Sequence, residues 1–310
     1  MLAPAEPLAN TALQLRYYQL ACDIRFLKSV ELAAFAGPTL HGGFGHAVKQ
    51  VGDEFYDWFF DCKNQQGQSI QKPYAFILPT DKKRNFAPQD DWSFTLMIWG
   101  DRTQAITSVI EALLHWQMLG LGTARAPFKI QSLRLVGSEQ RLIYLAGNQL
   151  NFDLPQPRTL LDALQQGELK AGAEPANTVW LNTLSPLHLK HQRQVIQHAP
   201  DVDVLLSSVA RRINTLATNF EPDANLVPLV ADSLATYVQL LHDNTHSAPV
   251  TRYSLREQKQ RHMQGLEGSW FYHGNIAALM PWLILADVVG VGNKTTFGFG
   301  RVSWQLARTA

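Results

Sequence analysis

The sequence predicts an α+β protein built from two tandem ferredoxin-like modules, each with the element order βαββαβ. Three observations support this fold class. Alternating apolar residues mark several strands, most clearly Leu20, Cys22, Ile24 and Phe26. A long amphipathic helix follows at 103–119. The same order of strands and helices then recurs in the second half, with a glycine turn before the last strand of each half.

The first module is predicted to occupy residues 1–155. We expect its strands at 20–26, 73–79, 92–99 and 127–136, its helices at 39–51 and 103–119, and an irregular aromatic loop at 52–71. Gly42, Gly43 and Gly45 each cost the first helix about 1 kcal/mol relative to alanine. Because this cost should be offset, we expect a close contact with the helix. The contact is made either by a ligand or another chain, or by the sheet beneath the helix through tight packing.

Residues 156–176 are rich in proline, glutamine, glycine and alanine and are predicted to be a linker, with one short helical pattern at 159–166. The second module is predicted at 177–310. We expect its strands at 179–189, near 251–255, at 269–273 and at 299–306, its helices at 202–218 and 275–288, and a helical insertion at 226–242. Gly120-Leu121-Gly122 in the first half corresponds to the glycine turn of the second half.

Composition limits the class of protein. The chain has 310 residues, 46% of them hydrophobic and 17% charged, which indicates a globular protein of two domains. No apolar run approaches the roughly 20 residues that span a bilayer, so no membrane partner is expected. The first ten residues do not resemble a signal peptide. Cys22 and Cys62 are too few for a disulfide framework or a four-cysteine zinc site, which favours the cytoplasm.

The stretch from Gly290 to Arg301, the glycine loop, is the strongest candidate for ligand binding. Its backbone amides, with Lys294 inside it and Arg301 at its end, are predicted to bind phosphates, and its glycines are Gly290, Gly292, Gly298 and Gly300. A P-loop is excluded because Asn293, and not glycine, precedes the lysine. A tight turn without a ligand is the alternative.

A second candidate for anion binding is the basic segment 251–262. Because the net charge of the chain is only +1, nucleic-acid binding would need a local patch of this kind. Its cationic residues are Arg252, Arg256, Lys259 and Arg261. The alternative is a solvated face without a partner.

Three motifs together resemble the CRISPR repeat-processing endoribonucleases, a branch of the superfamily of repeat-associated RNA-binding proteins. They are the Gly37–Ala47 segment, the Ser185–Lys190 segment with Arg211 and Arg212 on the next helix, and the Gly292–Gly300 loop. Some relatives have a cysteine cluster after the first helix. Cys62 stands alone there, so neither a metal nor another cofactor is expected.

The resemblance implies metal-independent cleavage of precursor RNA by its own 2′-hydroxyl, giving a 2′,3′-cyclic phosphate and a 5′-hydroxyl. Such chemistry needs a base, an acid and a cation near the phosphorane. His46 is the first candidate for proton transfer, and Lys49, three residues on, would stabilise the charged phosphorane. His41, at the start of the helix, is expected to contact phosphate. A packed or capping role is the alternative for these histidines.

Recognition is expected to involve CRISPR repeat RNA, both precursor and mature, through phosphate contacts that weaken steeply with salt. Arg252, Arg256, Lys259, Arg261, Lys294 and Arg301 would make these contacts. Other subunits of a CRISPR effector complex are further possible partners. A non-catalytic RNA-binding subunit of such a complex is the alternative function, and a metabolic enzyme is a weaker third. The other histidines are interpreted as structural or surface residues, with His273 as an outside candidate.

Overall fold

The alternating strand near the start of the chain becomes the centre of the first sheet. The computed structural model describes residues 12–307, apart from 65, 123, 138–139, 149, 152, 172–175, 222–225 and 255–258. The first module contains β1 (Arg16–Phe26), α1 (Gly37–Val51), β2 (Tyr74–Ile77), β3 (Asp91–Trp99), α2 (Ile106–Leu119), β4 (Phe128–Leu135) and β5 (Arg141–Leu145).

The strands of this sheet lie in the order β2-β3-β1-β4, with β5 added at the edge. Neighbouring strands are antiparallel, so that Leu20 pairs with Leu96 on one side and with Leu135 on the other. The predicted apolar face of β1 is buried against α1 and α2. The first four strands and two helices therefore have the ferredoxin-like arrangement predicted from the sequence.

The second module repeats this arrangement. After α3 (Leu160–Ala171) it contains β6 (Thr178–Thr183), α4 (Val202–Phe220), β7 (Val238–Ser247), β8 (Val250–Ser254), β9 (Lys259–Met263), β10 (Leu266–Gly274), α5 (Ile276–Val289) and β11 (Val302–Leu306). Its sheet has the order β7-β10-β6-β11, which corresponds strand for strand to the first sheet. The predicted α+β fold of tandem ferredoxin-like modules is confirmed.

The remaining elements are short. They are 3-10 helices at Ala12–Gln14, Gly100–Ala105 and Thr295–Phe297, helical turns at Asp53–Phe55 and Tyr56–Phe60, and two-residue strands at Val30–Glu31, Asn85–Phe86, Arg158–Thr159, Lys190–His191 and Gln194–Val195. The aromatic segment 52–71 is thus partly helical and not wholly irregular as predicted. No helix in the described ranges is long and apolar enough to cross a membrane.

The predicted helical insertion at 226–242 is wrong. Residues 226–237 are irregular, and β7 follows at Val238–Ser247. The Asn214 amide of α4 accepts from Leu229 N at 2.7 Å and donates to Leu229 O at 2.8 Å. Because these backbone groups bond to α4, they do not form a helical ladder. The strand predicted near 251–255 belongs instead to a separate hairpin of β8 and β9.

The two modules share a hydrophobic core. One cluster combines Tyr17 and Trp99 of the first sheet with residues of α3, α4 and α5. Helix α3 lies inside the predicted linker and packs on α5, where a Cβ on Gly167 would be 2.6 Å from Ile284 Cγ2. The boundaries 1–155, 156–176 and 177–310 stay a prediction.

Candidate active site

Helix α1 begins against the glycine loop of the other module. Its first residue is Gly37, followed by Pro38, which suits a helix start because it lacks the N–H that would be unpaired there. A Cβ on Gly37 would lie 1.7 Å from Phe297 O. Only glycine permits this approach, which holds the first turn of α1 beside the loop.

His41 lies about one turn after Gly37, on the same side of the helix, and is half-buried. Its Nδ1 is 3.1 Å from Tyr74 Oη, and its ring centroid is 4.5 Å from that of Phe297 and 4.9 Å from that of Phe60. Burial raises the pKa of Tyr74 well above its ordinary value, so the phenol stays protonated. The phenol and the flanking rings fix the position of the imidazole next to the glycine loop.

His46 and Lys49 lie on the solvent-exposed face of the same helix. Lys49 Nζ is 3.5 Å from Asp53 Oδ1 and 5.4 Å from the ring centroid of Tyr56. At 3.6 residues per turn, His46 is about 140° around the helix axis from His41. His46 and Lys49 therefore share a face as predicted, while the glycine loop packs on the side of His41.

The glycine loop uses most of its amides within the protein. Their acceptors are Ala286 O for Gly290, Gly300 O for Val291, Ser208 Oγ for Gly292, His188 O for Asn293, Lys294 O for Phe297, Thr295 O for Gly298, Pro186 O for Gly300 and Ser185 Oγ for Arg301. The expectation that bare N–H groups of these residues bind phosphate is therefore corrected. RNA binding by Gly290, Gly292, Gly298 and Gly300 stays a prediction that would need contacts of another kind.

The outward-facing part of the loop is its tip. Asn293 and Lys294 are exposed, whereas Thr295 is buried. Lys294 has φ of 65°, a left-handed conformation that is unfavourable for a residue with a side chain. The fixed loop thus holds the Lys294 cation at the surface, where it could contact phosphate.

The Ser185–Lys190 segment runs along the loop, so the structure brings all three motifs together. A Cβ on Gly292 would lie 2.5 Å from His188 O. His188 itself is 6% exposed, and its Nδ1–H donates to Gln264 O at 2.6 Å. Burial lowers its pKa, and Lys294 and Lys190 lower it further. Sequence reasoning treated His188 as a structural or surface residue and missed this contact with the loop.

Arg301 is directed back into the protein. Its guanidinium donates to the backbone oxygen and, at 3.1 Å, to the carboxylate Oδ1 of Asp287, and burial lowers its pKa. Arg212 of α4 donates to Val289 O. Its burial, together with the positive charge of the nearby Arg301, lowers the pKa of Arg212 to about 9. Both arginines stabilise the carboxyl end of α5 and the base of the loop. RNA binding by Arg301 stays a prediction.

The basic segment forms the β8–β9 hairpin, in which Arg252 pairs with Arg261 across the strands. Arg256 lies outside the described residues, and only backbone positions are described for Arg252, Lys259 and Arg261. Val250 and Met263 at the base of the hairpin are buried against Phe299 of the glycine loop. The base of the predicted RNA-binding hairpin therefore packs on the glycine loop, which also contacts α1.

The residues described between 12 and 307 contain no group of three or more histidine, cysteine, aspartate or glutamate side chains placed to hold a metal ion. Cys62, in the stretch where some relatives have a cluster, is buried, and its Sγ lies 3.1 Å from Trp58 O.

The fold and the site define a class of protein with two ferredoxin-like modules and a glycine loop packed on the first helix. Residues 15–156 match a family model described as an N-terminal domain. Residues 181–302 match the model of the CRISPR-associated endoribonuclease Cas6. The resemblance predicted from the sequence is thereby confirmed: the second module is similar to the CRISPR-associated endoribonuclease Cas6.

Solved structures share this fold. A partial Cas6-RT-Cas1–Cas2 complex matches with a TM-score of 0.60 and 15% identity over 94% of this chain, which spans 46% of that one. A Thermus thermophilus Cas6 matches with a TM-score of 0.54 and 12% identity, covering 94% of this chain and 99% of its own. A Cas6 product complex matches with 0.51 and 18%, covering 93% and 99%. Among curated proteins nothing matches.

Proposed function

We propose that this protein cleaves precursor CRISPR RNA within its repeats without a metal ion. The 2′-oxygen attacks the adjacent phosphorus and loses its proton to a base, and the bond from phosphorus to the 5′-oxygen breaks as that oxygen takes a proton from an acid. The products are a 2′,3′-cyclic phosphate and a 5′-hydroxyl. Imidazole suits both proton transfers because its ordinary pKa is near working pH.

The observation that supports this proposal is the contact between His41 of α1 and Phe297 of the glycine loop, whose ring centroids are 4.5 Å apart. It joins an imidazole of one module to the loop of the other. His41 therefore replaces His46 as our first candidate for proton transfer, and Lys294 at the tip of the loop is a candidate for stabilising the phosphorane. His46 and Lys49 remain a second candidate pair on the exposed face.

RNA binding is proposed for the β8–β9 hairpin and the loop tip, through Arg252, Arg256, Lys259, Arg261 and Lys294. Phosphate contacts of this kind release counterions, so affinity for the RNA should fall steeply with salt despite a net charge of +1. One structural relative was solved as part of a Cas6-RT-Cas1–Cas2 complex. By analogy, other CRISPR proteins are proposed partners of this chain.

The test is incubation of the purified protein with its repeat RNA in EDTA, followed by analysis of the product ends. We expect a cyclic phosphate, and no cleavage of RNA with a 2′-deoxy substitution at the scissile nucleotide. His41→Ala should slow cleavage by about 10²- to 10⁴-fold with little change in RNA binding. His115→Ala, at an exposed histidine of α2, is the matched control.

His46→Ala separates the two candidate histidines. If His46→Ala abolishes cleavage while His41→Ala still cleaves, His46 is the residue that transfers the proton, as first predicted from the sequence. If the wild-type protein binds repeat RNA tightly but gives no cyclic phosphate, the nuclease proposal fails and the non-catalytic RNA-binding subunit is favoured.

A further inference from the structure

The outer face of the second sheet presents a row of side chains in register across all four strands. His242 of β7 pairs with Phe271 of β10, Phe271 pairs with Trp180 of β6, and Trp180 pairs with Gln305 of β11. The rings of Trp180 and Phe271 have centroids 4.4 Å apart, and those of Phe271 and His242 are 5.1 Å apart. We call these four residues the aromatic row.

The aromatic row faces solvent. Trp180 is 40% exposed, His242 and Gln305 are exposed, and Phe271 is half-buried. The alternate residues of the same strands, such as Val179 and Trp270, are buried against the helices. An indole and a phenyl ring on the solvent side of a sheet are placed where they can contact a ligand with flat rings.

The surroundings of the row suit nucleobases. Polar side chains that can bond to base edges lie on the neighbouring positions of this face: Thr178, His273, Asn182, Asn244 and Ser303. In these four fully described strands, the face has a single carboxylate, at Glu267, and it is neutralised by Lys82 Nζ at 3.1 Å. Little negative charge therefore opposes a nucleic acid here.

Cations lie at one end of the row. Gln305 borders a cavity of about 870 Å³ between the modules, which Arg158 and Arg301 also line. Positive charge at this end of the row suits the phosphates of a bound strand.

We propose that this face binds single-stranded RNA, with Trp180 and Phe271 stacking on unpaired bases and Arg158 and Arg301 contacting the backbone beside Gln305. The inference rests on the proposed function, because it locates an unpaired part of the same RNA. Four strands spaced by about 4.8 Å give a row about 14 Å long, enough for two or three bases. In RNA recognition motifs, a four-stranded sheet binds bases through exposed aromatic side chains in the same way.

The test measures affinity for a fluorescein-labelled RNA of ten nucleotides that forms no stem. Trp180→Ala and Phe271→Ala should each weaken binding by about 5- to 150-fold, and Trp180→Phe should retain most of the affinity. Trp58→Ala is the matched control, because Trp58 is also 40% exposed but lies in the first module. Binding of a blunt stem-loop RNA should be unchanged in all four variants.

Salt dependence separates stacking from a structural effect. Trp180→Ala should leave the slope of log affinity against log salt unchanged, because stacking releases no counterion. Arg158→Gln should reduce that slope by about 0.7 for one lost phosphate contact with a single strand. A Trp180→Ala variant that binds the ten-nucleotide RNA like wild type, with an unchanged melting temperature, would overturn the proposal.

The outcomes for the row and for the nuclease are distinguishable. Normal cleavage of repeat RNA together with unchanged single-strand binding in Trp180→Ala rejects only the aromatic row. Loss of single-strand binding in a protein that never cleaves supports the row and rejects only the nuclease. If Trp180→Ala instead lowers the mass measured by analytical ultracentrifugation and leaves RNA binding intact, a second copy of the chain covers this face and the RNA proposal fails.

Discussion

At the scale of single residues, His188 illustrates how position changes the chemistry of a side chain. From the sequence it was one of several histidines without a local partner. In the structure it is buried beneath the glycine loop, with its Nδ1–H bonded to Gln264 O. Its pKa is below the ordinary histidine value because burial disfavours the charged ring.

This shift predicts a loss of stability in acid. Since the folded pKa of His188 is lower than the unfolded value of about 6.5, the unfolded chain binds more protons, and the free energy of unfolding falls as the pH falls below about 6.5. His188→Asn should reduce that dependence while preserving a donor to Gln264 O. Urea unfolding midpoints measured from about pH 7 to pH 5 would test this. His115→Asn, at an exposed position, should leave the dependence unchanged, and an equal effect there would contradict the assignment.

The paired glycine turns are a residue-scale feature that could be predicted. Gly120 and Gly290 end α2 and α5 with φ of 75° and 76°, and Gly122 and Gly292 follow with 75° and 78°. The prediction that the two turns correspond is confirmed. It succeeded because a positive φ is a local demand that favours glycine wherever the chain makes that turn.

At the scale of elements, α1 shows that the glycines of one helix occupy different surroundings and need different explanations. A Cβ on Gly43 would lie 2.5 Å from the Trp116 ring, and one on Gly45 would lie 2.4 Å from the Phe60 ring, whereas one on Gly42 would meet nothing within 4 Å. Tight packing therefore accounts for Gly43 and Gly45, but against α2 and the helical turn at Tyr56–Phe60 and not against the sheet as predicted. Gly42 lies on the open side of the helix.

The contrast gives a prediction for α1. Gly37→Ala should destabilise the protein by about 1–3 kcal/mol, because the new Cβ would lie 1.7 Å from Phe297 O and force the helix away from the loop. Gly42→Ala in the same helix should instead be neutral or stabilising by up to about 1 kcal/mol. Thermal unfolding of both variants measures this. A Gly37→Ala protein as stable as wild type would show that the helix does not pack on the loop as described.

The wrong assignment at 226–242 is also an element-scale result. Its apolar residues suited a helix, but Asn214 and Asp203 of α4 bond to the backbone of Leu229 and Leu234. Those bonds come from residues outside the segment, so the local pattern contained no sign of them. Tertiary contacts thus decided against the local propensity.

At the scale of the whole molecule, the two modules contact each other at several points. Arg16 of β1 donates from its backbone N, Nε and Nη2 to the Glu221 carboxylate at the end of α4, at 3.1, 2.9 and 2.7 Å. A Cβ on Gly100 would lie 2.2 Å from Phe220 O, so the first module also contacts α4 closely. The shared core lies between these contacts.

We therefore predict that the two modules unfold in one cooperative transition, with calorimetric and van't Hoff enthalpies that agree. Glu221→Ala should lower the free energy of unfolding by about 1–3 kcal/mol and retain a single transition, because it leaves the Arg16 donors without their acceptor. Asp91→Ala, which removes an exposed ion pair within the first module, should cost about 1 kcal/mol or less. Two separate transitions in the wild-type protein would contradict this.

The sequence by itself determined the core element order of the first module, the matching glycine turns and the shared face of His46 and Lys49, because each depends on local periodicity or on a local backbone conformation. Only the tertiary structure decided that His41 meets the loop, that the loop's amides are mostly used internally, and that β7 replaces a helix. Those outcomes depend on contacts between residues far apart in the chain, such as His41 and Phe297, which form only when the two modules pack together.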